Sequence, residues 1–225
     1  MVLAAALSRA ISQKMQINLS NLGKLYNYEW IFRNLTYTFE QGSSYAILGH
    51  NGSGKSTLLT ILAGYNLSSE GTTTYTTAQG KTVAPEHAFR QLSLTAPYLE
   101  VVEEFTLLEM LKFHTKFKPL RHQLTHQQLI ERMGLQKSRH KAVRDFSSGM
   151  KQRLKLGLAI YSDTSLLLLD EPTTNLDQEG IAWYQEHVTQ NSKDRLIIVG
   201  SNITHEYSFC QHQLRITDFH PAPKK

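Results

Sequence analysis

Residues 49–56 read Gly-His-Asn-Gly-Ser-Gly-Lys-Ser, the full G-x-x-x-x-G-K-[ST] spacing of a loop that wraps a polyphosphate. Gly52 and Gly54 permit the tight turns that aim successive backbone N–H groups at phosphate oxygens. Lys55 supplies a cation for the β and γ phosphates. Ser56 offers a hydroxyl to Mg²⁺, a hard cation that takes oxygen ligands from one or two protein groups and the nucleotide. Gly49, His50, Asn51, Ser53 and Thr57 complete the stretch expected to line the anion. Much later in the chain, Leu166–Leu169 lead into Asp170 and Glu171. Asp170 suits the magnesium shell, while Glu171, one residue on and pointing elsewhere, suits orienting or deprotonating an attacking water. Two acids at the end of a strand are a weak signal alone; beside the loop they point to chemistry on a bound nucleotide.

These groups need a scaffold, and the hydrophobic pattern describes one. Ser44–Leu48 is an apolar run of strand length ending in Gly49, and Leu58, Ile61, Leu62 and Ala63 recur on one helical face before Gly64, placed to end the helix at a left-handed position. Strand, glycine loop and helix in that order are the context the loop pattern requires. Short β-type stretches run from Gln16 to Phe39. Glu70–Thr77 reads as an antiparallel strand, with Gly80 as a turn before Lys81–Val83. Thr106 with Glu109 and Thr125 with Gln128 each have the spacing of a capping box, so two helices are predicted, led by Leu107, Leu108, Leu111 and by Leu129, Ile130, Met133, with Gly134 closing the second. A further helix spans Met150–Tyr161, and Leu166–Leu169 and Leu196–Val199 read as strands buried on both faces of a parallel sheet. The pattern predicts an α/β core with a helical insert near residues 100–160.

Composition narrows the function. At 225 residues the chain fits one large domain, or a main domain with a subdomain. With 40% apolar and 19% charged residues it has a globular balance, and no apolar run approaches the roughly 20 residues of a membrane-crossing helix. Membrane work would therefore go through a partner. Twenty-four Lys and Arg against 19 Asp and Glu leave +5, which suits anionic ligands but does not indicate nucleic acid, and none is expected as a partner. The single cysteine, Cys210, excludes an intrachain disulfide framework and a cysteine metal cluster, and cytosol is the default compartment. Residues 1–15 have a faint transit-peptide flavour but read better as a frayed start.

With Phe146-Ser147-Ser148-Gly149-Met150-Lys151-Gln152-Arg153 ahead of a helix, the loop and the Asp-Glu strand make nearly the whole chain resemble the ATP-binding cassette (ABC) ATPase family. The resemblance implies a P-loop NTPase core with a mainly parallel sheet, an antiparallel β subdomain and a helical subdomain. It implies one ABC-type domain over residues 16–220, with 1–15 and 221–225 as flexible ends. Ser147 and Gly149 would present a hydroxyl and backbone N–H groups at a helix N-terminus to the γ phosphate of an ATP held by another subunit's Lys55 loop. An N-cap is the purely structural alternative for Ser147. Glu171-Pro172-Thr173-Thr174-Asn175-Leu176-Asp177 looks like the run from catalytic glutamate to aspartate loop, with Asp177 against the opposing subunit. Tyr26, with Tyr28 or Trp30 beside it, would stack on adenine; strand or surface packing is the other reading.

Three departures stand out. The signature has Phe146, Ser148 and Met150 where the family pattern has Leu, Gly and Gln. Asn202 stands at the place of the switch histidine, with His205 as the alternative. An amide hydrogen-bonds a phosphate but cannot share a proton near neutral pH, so this departure bears on turnover and not on binding. Before Glu104, where a glutamine loop belongs, the sequence has Thr95-Ala96-Pro97-Tyr98, and Gln91 falls too early. The resemblance implies ATP and Mg²⁺ as cofactors and ATP hydrolysis in a head-to-tail homodimer, or a pair with a related cassette subunit. The protein would be the nucleotide-binding subunit of a transporter, peripheral at the inner face of the cell membrane beside a separate membrane-spanning subunit. A soluble cassette ATPase that remodels or assembles a protein, favoured by the missing glutamine, and a slow ATP-switched dimerisation module, favoured by Asn202, are the alternatives.

Overall fold

The computed structural model describes residues 15–77, 80–83 and 85–221; the expectations for 1–14 and 222–225 fall outside these. Met15, grouped above with the flexible start, is buried, and its amide donates to Gln41 Oε1 at 2.8 Å.

Five parallel strands form the central sheet, in the order β6 (Leu92–Thr95), β7 (Leu166–Asp170), β8 (Leu196–Gly200), β3 (Ser44–Leu48) and β9 (His212–Arg215). Every residue of β7 and β8 is buried. Successive side chains on a strand point to opposite faces, and the two cores record this. Leu166, Leu168, Leu196 and Ile198 pack with α1 (Lys55–Leu62) and the antiparallel sheet, whereas Leu167, Leu169, Ile197 and Val199 pack with the helices on the other side. The result is the α/β architecture that the leucine runs predict.

The antiparallel sheet has the order β2 (Glu29–Glu40), β1 (Gln16–Tyr26), β4 (Glu70–Thr76) and β5 (Thr82–Val83). Where the sequence suggests short stretches, the chain forms strands of 11 and 12 residues. Their pairing shifts register between Leu19 and Leu22, and Asn21 and Asn34 sit at left-handed φ of 48° and 57°. Such bulges break the period-two alternation by which a long strand is read. The hairpin turns on Asn27 and Tyr28, both at positive φ, the requirement of a two-residue turn that matches the strands' twist.

Both capping boxes form: Thr106 and Glu109 start α2 (Leu107–His114), and Thr125 and Gln128 start α3 (His126–Arg132). Gly64 and Gly134 take the left-handed positions expected of them, each at φ 70°. The next helix, α4 (Ser148–Tyr161), begins two residues earlier than periodicity suggests, because Ser147 caps it. At its far end the fully buried Arg195 donates to the Ala159, Ile160 and Ser162 carbonyls, a cation at a helix C-terminus, with burial pushing its pKa down to about 9. The last helices are α5 (Gln178–Gln190) and the single turn α6 (Thr204–Tyr207), after which come β9 and a 3-10 turn, Ile216–Phe219.

Candidate active site

Strand register assembles the site. Ile47 of β3 and Asp170 of β7 both pair with Gly200 of β8, so the three central strands end level. The segments leaving these ends are therefore adjacent: the glycine loop after β3, Glu171 after β7, Ser201 and Asn202 after β8. In parallel α/β sheets, this C-terminal edge is where ligands bind.

The loop has the geometry its glycines suggest. Gly52 adopts φ +80° with open space where a Cβ would project, and Gly54 adopts φ +103°, where a Cβ would come within 2.5 Å of Ile31. Gly54 is the N-cap of α1 and brings no side-chain cap, so the first-turn N–H groups of Lys55, Ser56 and Thr57 have no capping side chain, an arrangement that suits an anion. Lys55 is 4% exposed, and its Nζ donates to the Gly49 and His50 carbonyls at 2.8 and 3.1 Å, which holds the cation over the loop.

Asp170 is 1% exposed, and its Oδ1 is buried without a hydrogen-bond partner. Burial, with Glu171 and Glu206 nearby, raises its pKa to about 6 against the opposing pull of Ser56 and Lys55. A buried, unpartnered carboxylate oxygen beside a serine hydroxyl fits a hard dication, which would favour the charged form. Glu171 sits at φ +42°, a conformation costing an L residue roughly 1–2 kcal/mol, with its amide donating to Gly200 and its carbonyl accepting from Thr174. Strain of this kind collects at functional sites.

A second cluster lies apart from the first. Ser147 caps α4 by accepting from the Met150 amide at 3.3 Å, and Asp177 caps α5 by accepting from Gly180 at 2.8 Å. Ser147, Gly149 and Asp177 line one cavity of about 440 Å³, together with Met150, Arg153 and Asn175, and none of residues 49–57 lines it. Tyr26 joins neither cluster through its polar contacts. Its ring lies 4.6 Å from Lys24 Nζ and its hydroxyl accepts from Asn66, beyond the end of α1 opposite the loop. Tyr28 is 94% exposed at the hairpin tip, and the Trp30 ring is covered by Arg33 at 4.4 Å.

A family model described as ABC transporter matches residues 32–174. The uncharacterized ABC transporter ATP-binding protein YybJ of Bacillus subtilis (strain 168) is 32% identical over 184 residues, 81% of this chain and 83% of that protein. The chain belongs to the ABC transporter family of ATP-binding proteins. The lantibiotic transport ATP-binding protein SrtF of Streptococcus pyogenes is 31% identical over 196 residues, 84% of this chain and 81% of that protein. Among solved structures, one described as the ATP binding subunit of an ABC transporter has a TM-score of 0.76 at 23% identity, covering 89% of this chain and 86% of that one, a likeness of fold.

The departures of this ABC chain now have positions. Asn202, not His205, reaches the loop: its Nδ2 lies 3.4 Å from Asn51 Oδ1. His205 Nε2 lies 3.0 Å from the Thr173 hydroxyl, on the segment after Glu171. Gln91 precedes β6 and accepts from Ser165 at the end of the sheet away from the site, so it cannot stand in for a loop glutamine. The structure adds one residue that the sequence does not mark. Glu206, fully buried, accepts from the Thr173 amide at 2.8 Å, from the Thr173 hydroxyl at 2.6 Å and from the Ser201 hydroxyl. It ties the end of β8 to the segment just after Glu171. Because Thr173 donates to Glu206, its oxygen accepts from His205, which puts the hydrogen on Nε2. A helix of four residues carries no period that would have exposed Glu206.

Proposed function

We propose that this ABC chain binds and hydrolyses ATP as the nucleotide-binding subunit of a membrane transporter. Its working form is a head-to-tail pair, with itself or with a related cassette subunit. The observation that carries this reading is the separation of the clusters: residues 49–57, Asp170, Glu171 and Asn202 lie at the sheet edge, while Ser147, Gly149 and Asp177 share a different cavity. One chain thus offers half of a site in two places, and a second chain in reverse orientation would complete both. Loss of the γ phosphate would then remove the charge bridging two subunits and release the pair, which is how hydrolysis does mechanical work.

In this reading the phosphate loop and the α1 N-terminus hold the polyphosphate, Lys55 neutralises its terminal charge, and Glu171 orients water. Ser56 and Asp170 would hold Mg²⁺, which when bound screens the phosphate oxygens. Tyr26, the adenine platform that the resemblance implies, is 41% exposed, but Lys24 and Asn66 engage its ring and hydroxyl at the end of α1 opposite the loop, so stacking on adenine there would require both contacts to give way. Among the described residues no helix is long and apolar enough to cross a membrane. The proposal gives the membrane-spanning part to a separate subunit, with this one peripheral at the inner face. The exposed Phe113 and Phe117, beside a cleft of about 200 Å³ lined by Val101, Met110 and Lys155, offer that partner an apolar seat.

Co-purification tests the assignment. From a membrane extract prepared with ATP and vanadate, the tagged chain should retain a multispanning protein; recovery of the chain without any membrane protein, with and without nucleotide, would rule the transporter role out. The chemistry has its own test. Asn202→Ala should lower ATP turnover by about tenfold, the worth of a hydrogen bond to a charged group, and more than His205→Ala does. The opposite ranking in a steady-state phosphate-release assay would transfer the switch role to His205. A wild-type turnover close to zero with ATP-dependent dimerisation intact would instead favour the switch module that an unprotonatable Asn202 suits.

A further inference from the structure

The phosphate loop is held from outside by a residue far along the chain. The peptide joining Ser53 to Gly54 is one that could flip, since glycine accepts the backbone conformations on either side of a plane rotation. In a trans peptide the carbonyl and the following N–H point in opposite directions, so whatever grips the Ser53 carbonyl aims the Gly54 N–H. Among the described residues that N–H has no protein acceptor, the state of a donor kept for a ligand. Ser53 itself provides no anchor through its side chain, whose Oγ is buried without a partner.

The grip comes from His220. Its Nε2 lies 2.9 Å from the Ser53 carbonyl, 167 residues away in sequence. A carbonyl only accepts, so Nε2 carries the hydrogen. The position is built in: Leu48 pairs with Arg215, which sets the Ile216–Phe219 turn beside the loop. Ile216 is fully buried there, and a Cβ on Gly49 would come within 2.9 Å of it. The His50 ring meets His220 edge-on, with centroids 6.2 Å apart.

We propose that His220 is a positioning residue for nucleotide binding, its Nε2–H fixing the Ser53–Gly54 peptide so that the Gly54 amide is presented to phosphate before the nucleotide arrives. The proposal rests on the phosphate-loop reading above, and Lys55→Ala separates the two. His220→Ala should weaken ATP binding about fivefold by calorimetry, the worth of one hydrogen bond. It should raise KM while leaving kcat at saturating ATP near wild type. In nucleotide-free protein, amide hydrogen exchange at residues 52–55 should quicken. His220→Gln, which keeps an N–H donor at similar reach, should restore affinity and protection to within about twofold. Wild-type affinity in His220→Ala would overturn the proposal, and so would a His220→Gln variant as weak as the alanine, since ring packing and not the donor would then matter. If Lys55→Ala also bound ATP normally, the loop assignment itself would fall and take this inference with it.

Discussion

Lys55→Ala should bind ATP at least tens of times more weakly than the wild-type chain. Two effects act together. The substitution removes the cation that neutralises the terminal phosphates, and a hydrogen bond to a charged group is worth about 1.5–3 kcal/mol, or roughly 10- to 150-fold in affinity. It also removes the donor that spans the loop, leaving the Gly49 and His50 carbonyls without the Nζ that now joins them at 2.8 and 3.1 Å. The two losses are distinguishable. Lys55→Arg keeps the positive charge and donors on a longer, planar head that does not fit the same carbonyl pair, so it should recover only part of the affinity. Titration calorimetry with ATP and Mg²⁺, alongside a thermal melt without nucleotide to confirm folding, measures both. Because Lys55 is 4% exposed, the melt matters: a buried ammonium stem also packs. Unaltered affinity in a folded Lys55→Ala protein would mean that the loop at 49–56 does not hold the polyphosphate.

The sequence is most legible where one local rule decides. Gly52 and Gly54 sit at φ +80° and +103°, where an L side chain is strained, and a run such as Leu166–Leu169 belongs in a strand buried on both faces. The capping boxes at Thr106 and Thr125 depend on residues three apart, and both form. Legibility is poorest where distant segments meet. Glu206 looks like an ordinary acid in a short polar stretch, and only the fold puts it against Thr173 and Ser201. His220 has no local signal at all; its meaning comes from the pairing of β3 with β9. The long β1–β2 hairpin is obscured for a third reason, since bulges at Asn21 and Asn34 interrupt the alternation by which strands are recognised. Asn202 and His205 show the limit most clearly. The resemblance puts Asn202 at the switch position and leaves His205, three residues on, as the alternative, and the fold turns one side chain to the loop and the other to Thr173.

Glu171→Gln should separate binding from hydrolysis. The carboxylate at this position makes no hydrogen bond or ion pair within the described residues, while the backbone is pinned by the amide bond to Gly200 and the Thr174 contact to the carbonyl. Glutamine has the same shape and meets the same backbone cost at φ +42°, so the fold should be undisturbed, while loss of the Glu171 charge removes one of the influences that raise the Asp170 pKa. What is lost is the ability to take a proton from water or to orient it by charge, a contribution of roughly 10²–10⁴ in rate where a side chain acts as a general base. Turnover should fall by at least about a hundredfold, with ATP affinity within a few-fold of wild type. If the nucleotide bridges two subunits, a chain that binds without hydrolysing should stay closed, and light scattering with ATP should report a species of twice the monomer mass. The same measurement on Lys55→Ala should show monomer, because no nucleotide is held to bridge the pair. Dimer accumulation without the fall in turnover would keep the sandwich and remove Glu171 from the chemistry; the fall without the dimer would keep the base and discard the head-to-tail closure.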